Sequence, residues 1–318
     1  MSAEVDAIGL IGSLLGIWQF GTSLLPAQNV DASTYSIRAG LDKTSDGAGH
    51  LLSNAGGGIS LIKTYNNNGE LIGSGGKGSI KSGGIETFTT EQTNTQESVT
   101  TEFYATNDAL CIAWITATMD MGSQWGWTGD WGYICGLNWY PSGDPLQSAD
   151  GSSANAPRCT WIDGDHSNNI KAAVIGITWP DFVGTNNSMP TGDGKDKCGS
   201  SMRAWDAAGG SQILSPSGVA SRQLMPRQSQ RSDDRLVVSH LDSHSAIEVC
   251  ESETSWGPDF VSMAEGLYCN METHEVVPLC GNGLAKDCFH VNGTRATAHV
   301  AVDGTRKYRK PSRIVEWR

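Results

Sequence analysis

Apolar residues fall in short blocks separated by clusters of Gly, Asn, Asp and Ser. That spacing belongs to strands and turns, and no long 3.6-residue periodicity exists after residue 26. Ile59 to Tyr65 and Glu70 to Ile72 flank Asn66-Asn67-Asn68-Gly69, and Asn-Gly between apolar runs predicts a β-hairpin. Gly73 to Gly78 and Ser82-Gly83-Gly84 mark further turns. Thr87 to Thr101 suits an exposed strand or loop. Phe103-Tyr104 and Ala109 to Met119 (ALCIAWITATM) predict two strands around Asn107-Asp108; the second is nearly all apolar and should be buried on both faces. Ala172 to Trp179 predicts another strand. The expected fold class is mainly β: sandwich-like antiparallel sheets, with one N-terminal apolar helix and a Cys-rich C-terminal module.

That helix is predicted within residues 1–28. Ala7 to Leu25 reads AIGLIGSLLGIWQFGTSLL, without a charge between Asp6 and Asp31, and Pro26 ends it. A signal peptide wants a basic start, but Glu4 and Asp6 precede the run and the first basic residue is Arg38. A membrane span wants ~20 strongly apolar residues, and this run holds four Gly, two Ser, one Thr and one Gln. A packed helix fits better, with Gly9, Gly12 and Gly16 forming a smooth face and Leu14 and Leu25 helping to fill a groove. It docks either on its own domain or on another copy. Gly12-x-x-x-Gly16 permits close helix approach, so Ile8, Ile11, Gly12, Leu15, Gly16 and Trp18 are the candidate self-association residues. Membrane contact is a less favoured use of the same segment.

Trp125 to Tyr140 reads WGWTGDWGYICGLNWY, too irregular for a helix. Its aromatics Trp125, Trp127, Trp131, Trp139 and Tyr140 have two readings. Flat rings can stack on sugar faces while Asp or Asn holds hydroxyls. Alternatively the rings fill a core under loops, with indole N–H groups bonded to backbone. Trp161, Trp179 and Trp205 continue the enrichment, which favours a style of packing. In Cys159 to Phe182, Asp163, Asp165 and Ser167 mimic the first ligands of a calcium loop. Asn168 stands where the Gly should be and Val174 where the bidentate Glu should be, so an EF-hand is excluded; an Asx-type turn is expected, with an irregular calcium site at Asp163 and Asp165 as the alternative.

Composition then narrows the class. The chain has 318 residues and a net charge of -12, and that balance excludes a nucleic-acid binder, which needs a basic stripe. Gly at 39 residues favours turns. The eight Cys, at 111, 135, 159, 198, 250, 269, 280 and 288, include no C-x-x-C. Zinc ribbons and thioredoxin-type sites are thereby removed. An even count at wide spacing favours disulfides in a lumenal, vacuolar or extracellular place over the cytoplasm. Crowding of the last four predicts at least one local bridge there.

The organisation expected is a helix at 1–28, a β-rich, Trp-containing body at 29–205, a polar loop or linker at 206–234, and a Cys-rich module at 235–318. The 206–234 segment lacks a clear linker composition, so one continuous body is expected. The chain ends in RKYRKPSRIVEWR, a basic run that suits a solvated tail, an edge strand, or docking against an acidic face of another copy.

No G-x-S-x-G elbow and no H-E-x-x-H is present. Gly73, Gly75 and Gly78 match the letters of G-x-G-x-x-G but run into another turn, so no dinucleotide is expected. His240 and His244 stand four apart without a clear helix. No catalytic residue, metal or cofactor is predicted, although a nucleophile–base pair can be assembled by a fold from distant residues.

Three segments resemble proteins of filamentous ascomycetes: RLVVSHLDSHSAIEVCESETSWGPDFVSMAEGLYCNMETHEVVPLC at Arg235 to Cys280, LCIAWITATMDMGSQWGWTGDWGYICG, and CTWIDGDHSNNIKAAVIGITWPDF. Some of those proteins resemble abundant fruiting-body and sclerotial proteins, and this implies a storage or developmental role without a catalytic motif. Three functions are therefore expected in order: a non-enzymatic, abundant, self-associating structural or storage-type protein of fungal development; a carbohydrate-binding, lectin-like protein using the Trp-rich segment; and a membrane-active defence protein using the N-terminal helix. The partners would be other copies of the chain, or glycans.

Overall fold

A computed structural model describes residues 11–13, 16–19, 22–40, 55–143, 146–148, 154–167, 169–182, 194–215, 218–219, 235–281, 287–292, 295–297 and 311–317. The chain divides into two compact units, one made of the described residues up to Val219 and one of those from Arg235 on. The division falls within the 206–234 segment, where one continuous body had been expected. Each unit has its own apolar core and its own pair of disulfides.

The first unit begins with β1 (Ile11–Ser13), β2 (Gly16–Gln19), β3 (Ala32–Ala39), β4 (Gly57–Tyr65), β5 (Leu71–Gly75), β6 (Gly78–Ile80) and β7 (Ile85–Glu91). It continues through β8 (Thr100–Ala105), β9 (Leu110–Thr118), β10 (Gln124–Thr128), the short helix α1 (Asp130–Ile134), β11 (Trp139–Pro141), β12 (Leu146–Ser148) and β13 (Ala154–Asn155). It closes with β14 (Arg158–Ile162), β15 (Val174–Thr178), β16 (Met202–Trp205), β17 (Leu214–Ser215) and β18 (Gly218–Val219).

Two antiparallel sheets form the sandwich. The first runs β11-β14-β9-β3-β7, with β10 also on β9; the second runs β16-β15-β8-β4-β5, with β6 also on β4. The Asn66 side chain closes the predicted β4–β5 hairpin by accepting from the N–H groups of Asn68 (3.0 Å) and Glu70 (2.9 Å), and Gly69 supplies the positive φ of 77°. The inner faces meet at Tyr35, Phe103 and Trp179, where Tyr35 and Phe103 lie edge to face at 5.4 Å. The Thr101 hydroxyl joins this core, 3.0 Å from the Tyr35 hydroxyl and accepting from the Trp179 indole N–H at 2.8 Å. All nine residues of β9 are buried, as the unbroken apolar run requires.

The outer face of the first sheet is covered by the chain's own beginning. The hydroxyls of Thr116 and Thr118 on β9 donate to the carbonyls of Leu24 (2.6 Å) and Pro26 (2.7 Å). Upstream, Ile11–Ser13 and Gly16–Gln19 are strands and not the expected helix. They pair with each other, Ile11 opposite Trp18, and β2 also pairs with β12. The reason is local. Each Gly inside a helix costs about 1 kcal/mol against Ala, while Ile11, Ile17 and Trp18 suit an extended chain, and β12 supplies the pairing that an isolated hairpin lacks. Among the candidate self-association residues, Ile11, Gly12, Gly16 and Trp18 thus lie in this internal sheet, and Ile8 and Leu15 lie outside the described residues.

Disulfide Cys111–Cys159 ties β9 to the β14 strand, and Cys135–Cys198 ties the end of α1 to the turn before β16. The second unit comprises β19 (Arg235–Ser239), helix α2 (Ala246–Glu251), β20 (Asp259–Ser262), β21 (Leu267–Asn270), β22 (Glu275–Pro278), β23 (His290–Asn292), β24 (Arg295–Thr297) and β25 (Arg313–Trp317). Its main sheet runs β22-β21-β20-β19-β25 and is mixed, because β19 lies parallel to both β20 and β25. The parallel β19–β20 pair follows from the helical crossover α2 between them. The basic C-terminal run supplies the edge strand β25. Cys250–Cys269 and Cys280–Cys288 staple this unit, two local bridges in the stretch where at least one was predicted.

Candidate functional site

The aromatic segment from Trp125 to Tyr140 lines the core. Trp127, Trp131 and Trp139 are fully buried, Tyr140 is buried, and Trp125 is half-buried against the same cluster. Trp127, Trp131, Trp139 and Tyr140 therefore offer no flat surface to a sugar. The burial follows from two close glycine contacts. A Cβ on Gly129 would lie 2.4 Å from the Arg158 carbonyl oxygen, and one on Gly132 1.9 Å from the Thr160 hydroxyl. Glycine at both positions lets α1 sit directly on β14 and pulls its rings inward. The expected indole–backbone bonds are not made at Trp125, Trp127 and Trp131, whose buried N–H groups meet no acceptor among the described residues.

Inside this region Asp130 is 1% exposed and meets the Arg158 guanidinium at 3.5 Å. Its carboxylate also accepts from the Arg158 main-chain N–H (3.0 Å) and from the Thr128 hydroxyl (3.1 Å). Burial pushes the Asp130 carboxyl up, and Arg158 opposes this. The guanidinium in turn lies 4.4 Å above the Tyr133 ring and 5.3 Å from that of Trp139. The partners named here are all part of the packing.

The Asp163–Ser167 segment forms Asx-type turns. The Asp163 carboxylate accepts from the Asp165 N–H (3.4 Å) and the Ser167 hydroxyl (3.3 Å), and Asp165 accepts from the Ser167 N–H (2.9 Å). Burial raises the Asp163 carboxyl, and the Ser167 bonds lower that of Asp165. Both ring nitrogens of His166 meet main-chain carbonyls, those of Ile170 and Asp206, and so pin the loop. In the second unit the fold does assemble a serine–histidine pair, Ser239 and His244, at 2.8 Å. Ser239 is fully buried, the contact uses Nδ1, and the ring packs on Phe260 and Trp317. This is a structural arrangement, since a nucleophile must reach its substrate.

The outer face of the second sheet is half-buried: Tyr104 and Val174 belong to a small apolar cluster, with Leu61 and Trp205 packed against it. The strand period of two turns Leu61, Lys63 and Tyr65 of β4 to the side opposite buried Ile62 and Thr64. Glu102 and Tyr104 of β8, Gly176 of β15, and Arg203 and Trp205 of β16 share that side. Register sets them in two rows: Leu61, Tyr104, Val174, Trp205, and beside it Lys63, Glu102, Gly176, Arg203. One Glu102 oxygen, Oε2, accepts from both the Tyr65 hydroxyl (2.8 Å) and the Tyr104 hydroxyl (2.6 Å). The Lys63 ammonium stands 5.0 Å above the Tyr104 ring, and the Arg203 guanidinium 5.5 Å from that of Trp205. A Cβ on Gly176 would lie 2.9 Å from the indole Cζ3, so glycine alone lets half-buried Trp205 rest on the strand backbone.

Burial, followed by the bond to Glu102 and its negative charge, pushes the Tyr65 phenol up to about 12, and the same causes raise that of Tyr104 further. Both phenols therefore remain donors across the neutral range. Their raised values stabilise the fold below pH ~10, the unfolded value, and that contribution is lost as pH climbs through about 12 for Tyr65. We expect the absorbance titration at 295 nm to show a phenol that ionises only near pH 12 and is missing from Tyr65→Phe. In Glu102→Gln, Tyr65 should ionise at lower pH; an unchanged curve in both variants contradicts the shared-carboxylate geometry.

Sequence reasoning noted Trp205 only as part of the enrichment and missed Lys63, Tyr65, Glu102, Tyr104 and Arg203. The available signal was the period-two spacing Lys63-x-Tyr65, Glu102-x-Tyr104 and Arg203-x-Trp205. Four separate strands carry the face, so the register had to be known. Among the described residues no helix is long and apolar enough to cross a membrane. Four disulfides mark a protein of an oxidising, non-cytoplasmic environment. No protein-family model matches the chain, and no curated protein matches its sequence.

Proposed function

We propose that this protein binds carbohydrate, without catalysis, through the outer face of the second sheet, in an extracellular or lumenal setting. The supporting observation is the conjunction of half-buried Trp205, laid on the Gly176 backbone, with the Tyr65–Glu102–Tyr104 cluster one row away. Sugar recognition uses a ring for the apolar C–H face and fixed polar groups for the hydroxyls. Trp205 supplies the first. Glu102, oriented by two phenols, supplies an acceptor whose second oxygen faces no described donor. A sheet whose strand β16 is anchored by the Cys135–Cys198 bridge keeps these groups in place with little ordering cost at binding. The bilayer reading relied on a helix within residues 1–28, and the self-association reading on that helix together with the basic C-terminal run; strands at Ile11–Ser13 and Gly16–Gln19 leave the helical premise unsupported.

A glycan array tests the proposal. The wild type should give signal, Trp205→Ala should lose it with the far-ultraviolet spectrum unchanged, and Trp205→Phe should keep part of it. Absence of any glycan signal from the wild type rejects the function; equal signal from Trp205→Ala rejects the site.

A further inference from the structure

We infer that the ligand of this face is an anionic glycan, whose acid group pairs with Arg203 while a sugar ring lies on Trp205. The inference rests on the carbohydrate reading above and names its substrate class. It starts from an imbalance of charge. The protein carries 34 acidic against 22 basic residues, so a cation on its surface has ample choice of partners. Arg203 nevertheless forms no ion pair or hydrogen bond with a described residue, and its Nε is enclosed without an acceptor. Its guanidinium lies over the Trp205 ring, and its charge is also felt by the Tyr65 phenol. The nearest carboxylate in its row, Glu102, stands across Gly176 and is already engaged by two neutral phenol donors.

Glu102 is two strands from Arg203, or about 10 Å at the usual strand spacing. The position between them carries no side chain. The row thus reads cation, acceptor, a glycine covered by the Trp205 indole, and a second cation. A guanidinium is a rigid fork that matches a carboxylate or sulfate with two parallel hydrogen bonds. Lys63 at the other end of the row adds a point charge without an ion pair of its own among the described residues. A neutral sugar would leave both cations unanswered; a uronate or a sulfated sugar answers them and still offers a C–H face to Trp205. The acid group must lie toward Arg203, since at the other position it would meet Glu102.

The test is titration calorimetry of the full chain with three oligosaccharides of equal length: an oligouronate, its carboxyl-reduced neutral counterpart, and a sulfated analogue. A polyglutamate peptide is the fourth arm. The oligouronate or the sulfated sugar should bind about tenfold to a hundredfold more tightly than the neutral one, the range of a charge-assisted pair, and the stronger of the two identifies the acid group. The preference should shrink with added salt. Arg203→Gln should remove the preference, and Arg203→Lys should restore part of it. Neutral and anionic sugars binding alike, with binding lost in Trp205→Ala, overturns the anionic assignment and leaves the carbohydrate reading standing. No binding of any of the three sugars overturns both. Polyglutamate binding as tightly as the oligouronate assigns the cations to an acidic peptide and also overturns the inference.

Discussion

Replacing Cys111 and Cys159 together by Ala is expected to destabilise the first unit by about 4 kcal/mol, the chain-entropy value for a loop of this size. The bridge spans 48 residues and closes the segment that carries β10, α1, β11 and the Trp-rich run. Its sulfurs are buried, and Gly40 is packed so closely that a Cβ there would lie 2.7 Å from the Cys159 Sγ. Alanine leaves a small void and introduces no polar group, so the loss reads mainly the unfolded chain. The measurement is urea unfolding followed by tryptophan fluorescence, with amide exchange of β3 and β9 reporting the first unit alone. The bridge Cys250–Cys269 spans 19 residues; its removal should cost about 3 kcal/mol by the same relation and leave β3 and β9 exchange unchanged. An unaltered midpoint in the first variant would show that native packing, and not the crosslink, limits this sandwich.

Arg158→Ala should be comparably damaging, by about 3–5 kcal/mol, because it strands a buried charge. Asp130 would keep one main-chain and one hydroxyl donor but lose its counter-ion. The stacks on Tyr133 and Trp139 would go as well. The pH dependence has a definite sign. Burial already raises the Asp130 carboxyl, and Arg158 is the first influence opposing it. Without Arg158 the folded value rises further, so the folded state holds a proton that the unfolded state has released. The deficit is therefore smallest in acid and grows as pH rises above ~3.9, the unfolded carboxylate value. Thermal unfolding at pH 4 and pH 7 should show a larger loss at pH 7. Asp130→Asn combined with Arg158→Met should recover most of it, since neither buried charge remains. A loss independent of pH, unrelieved in the double variant, would assign the role of Arg158 to its stem alone.

The β-character of the body, the β4–β5 hairpin, the doubly buried β9 and the oxidised state of the cysteines were all legible in the sequence. Each depends on neighbours in the chain: an Asn-Gly turn, an unbroken apolar run, an even count of spaced thiols. The leading segment was misread for an instructive reason. Ala7 to Leu25 is compatible with a helix when taken alone, and its strands exist because β12, more than a hundred positions later, offers a pairing edge. The aromatic segment was open in the same way. Whether Trp127 and Trp131 face sugar or core depends on Gly129 and Gly132 meeting β14, a contact invisible before the sheet is assembled.

Local chemistry alone therefore determined which stretches extend, where they turn, and that sulfur would crosslink them. Only the tertiary structure decided which rings are hidden and which side chains stand together at the surface. Lys63, Glu102, Gly176 and Arg203 are separated by up to 140 positions and become neighbours only because hydrogen-bond register aligns four strands. Register is fixed by the burial of Ile62, Phe103, Ile175 and Ala204 on the opposite face. The core thus positions the outer face, and that face carries the side chains proposed to bind.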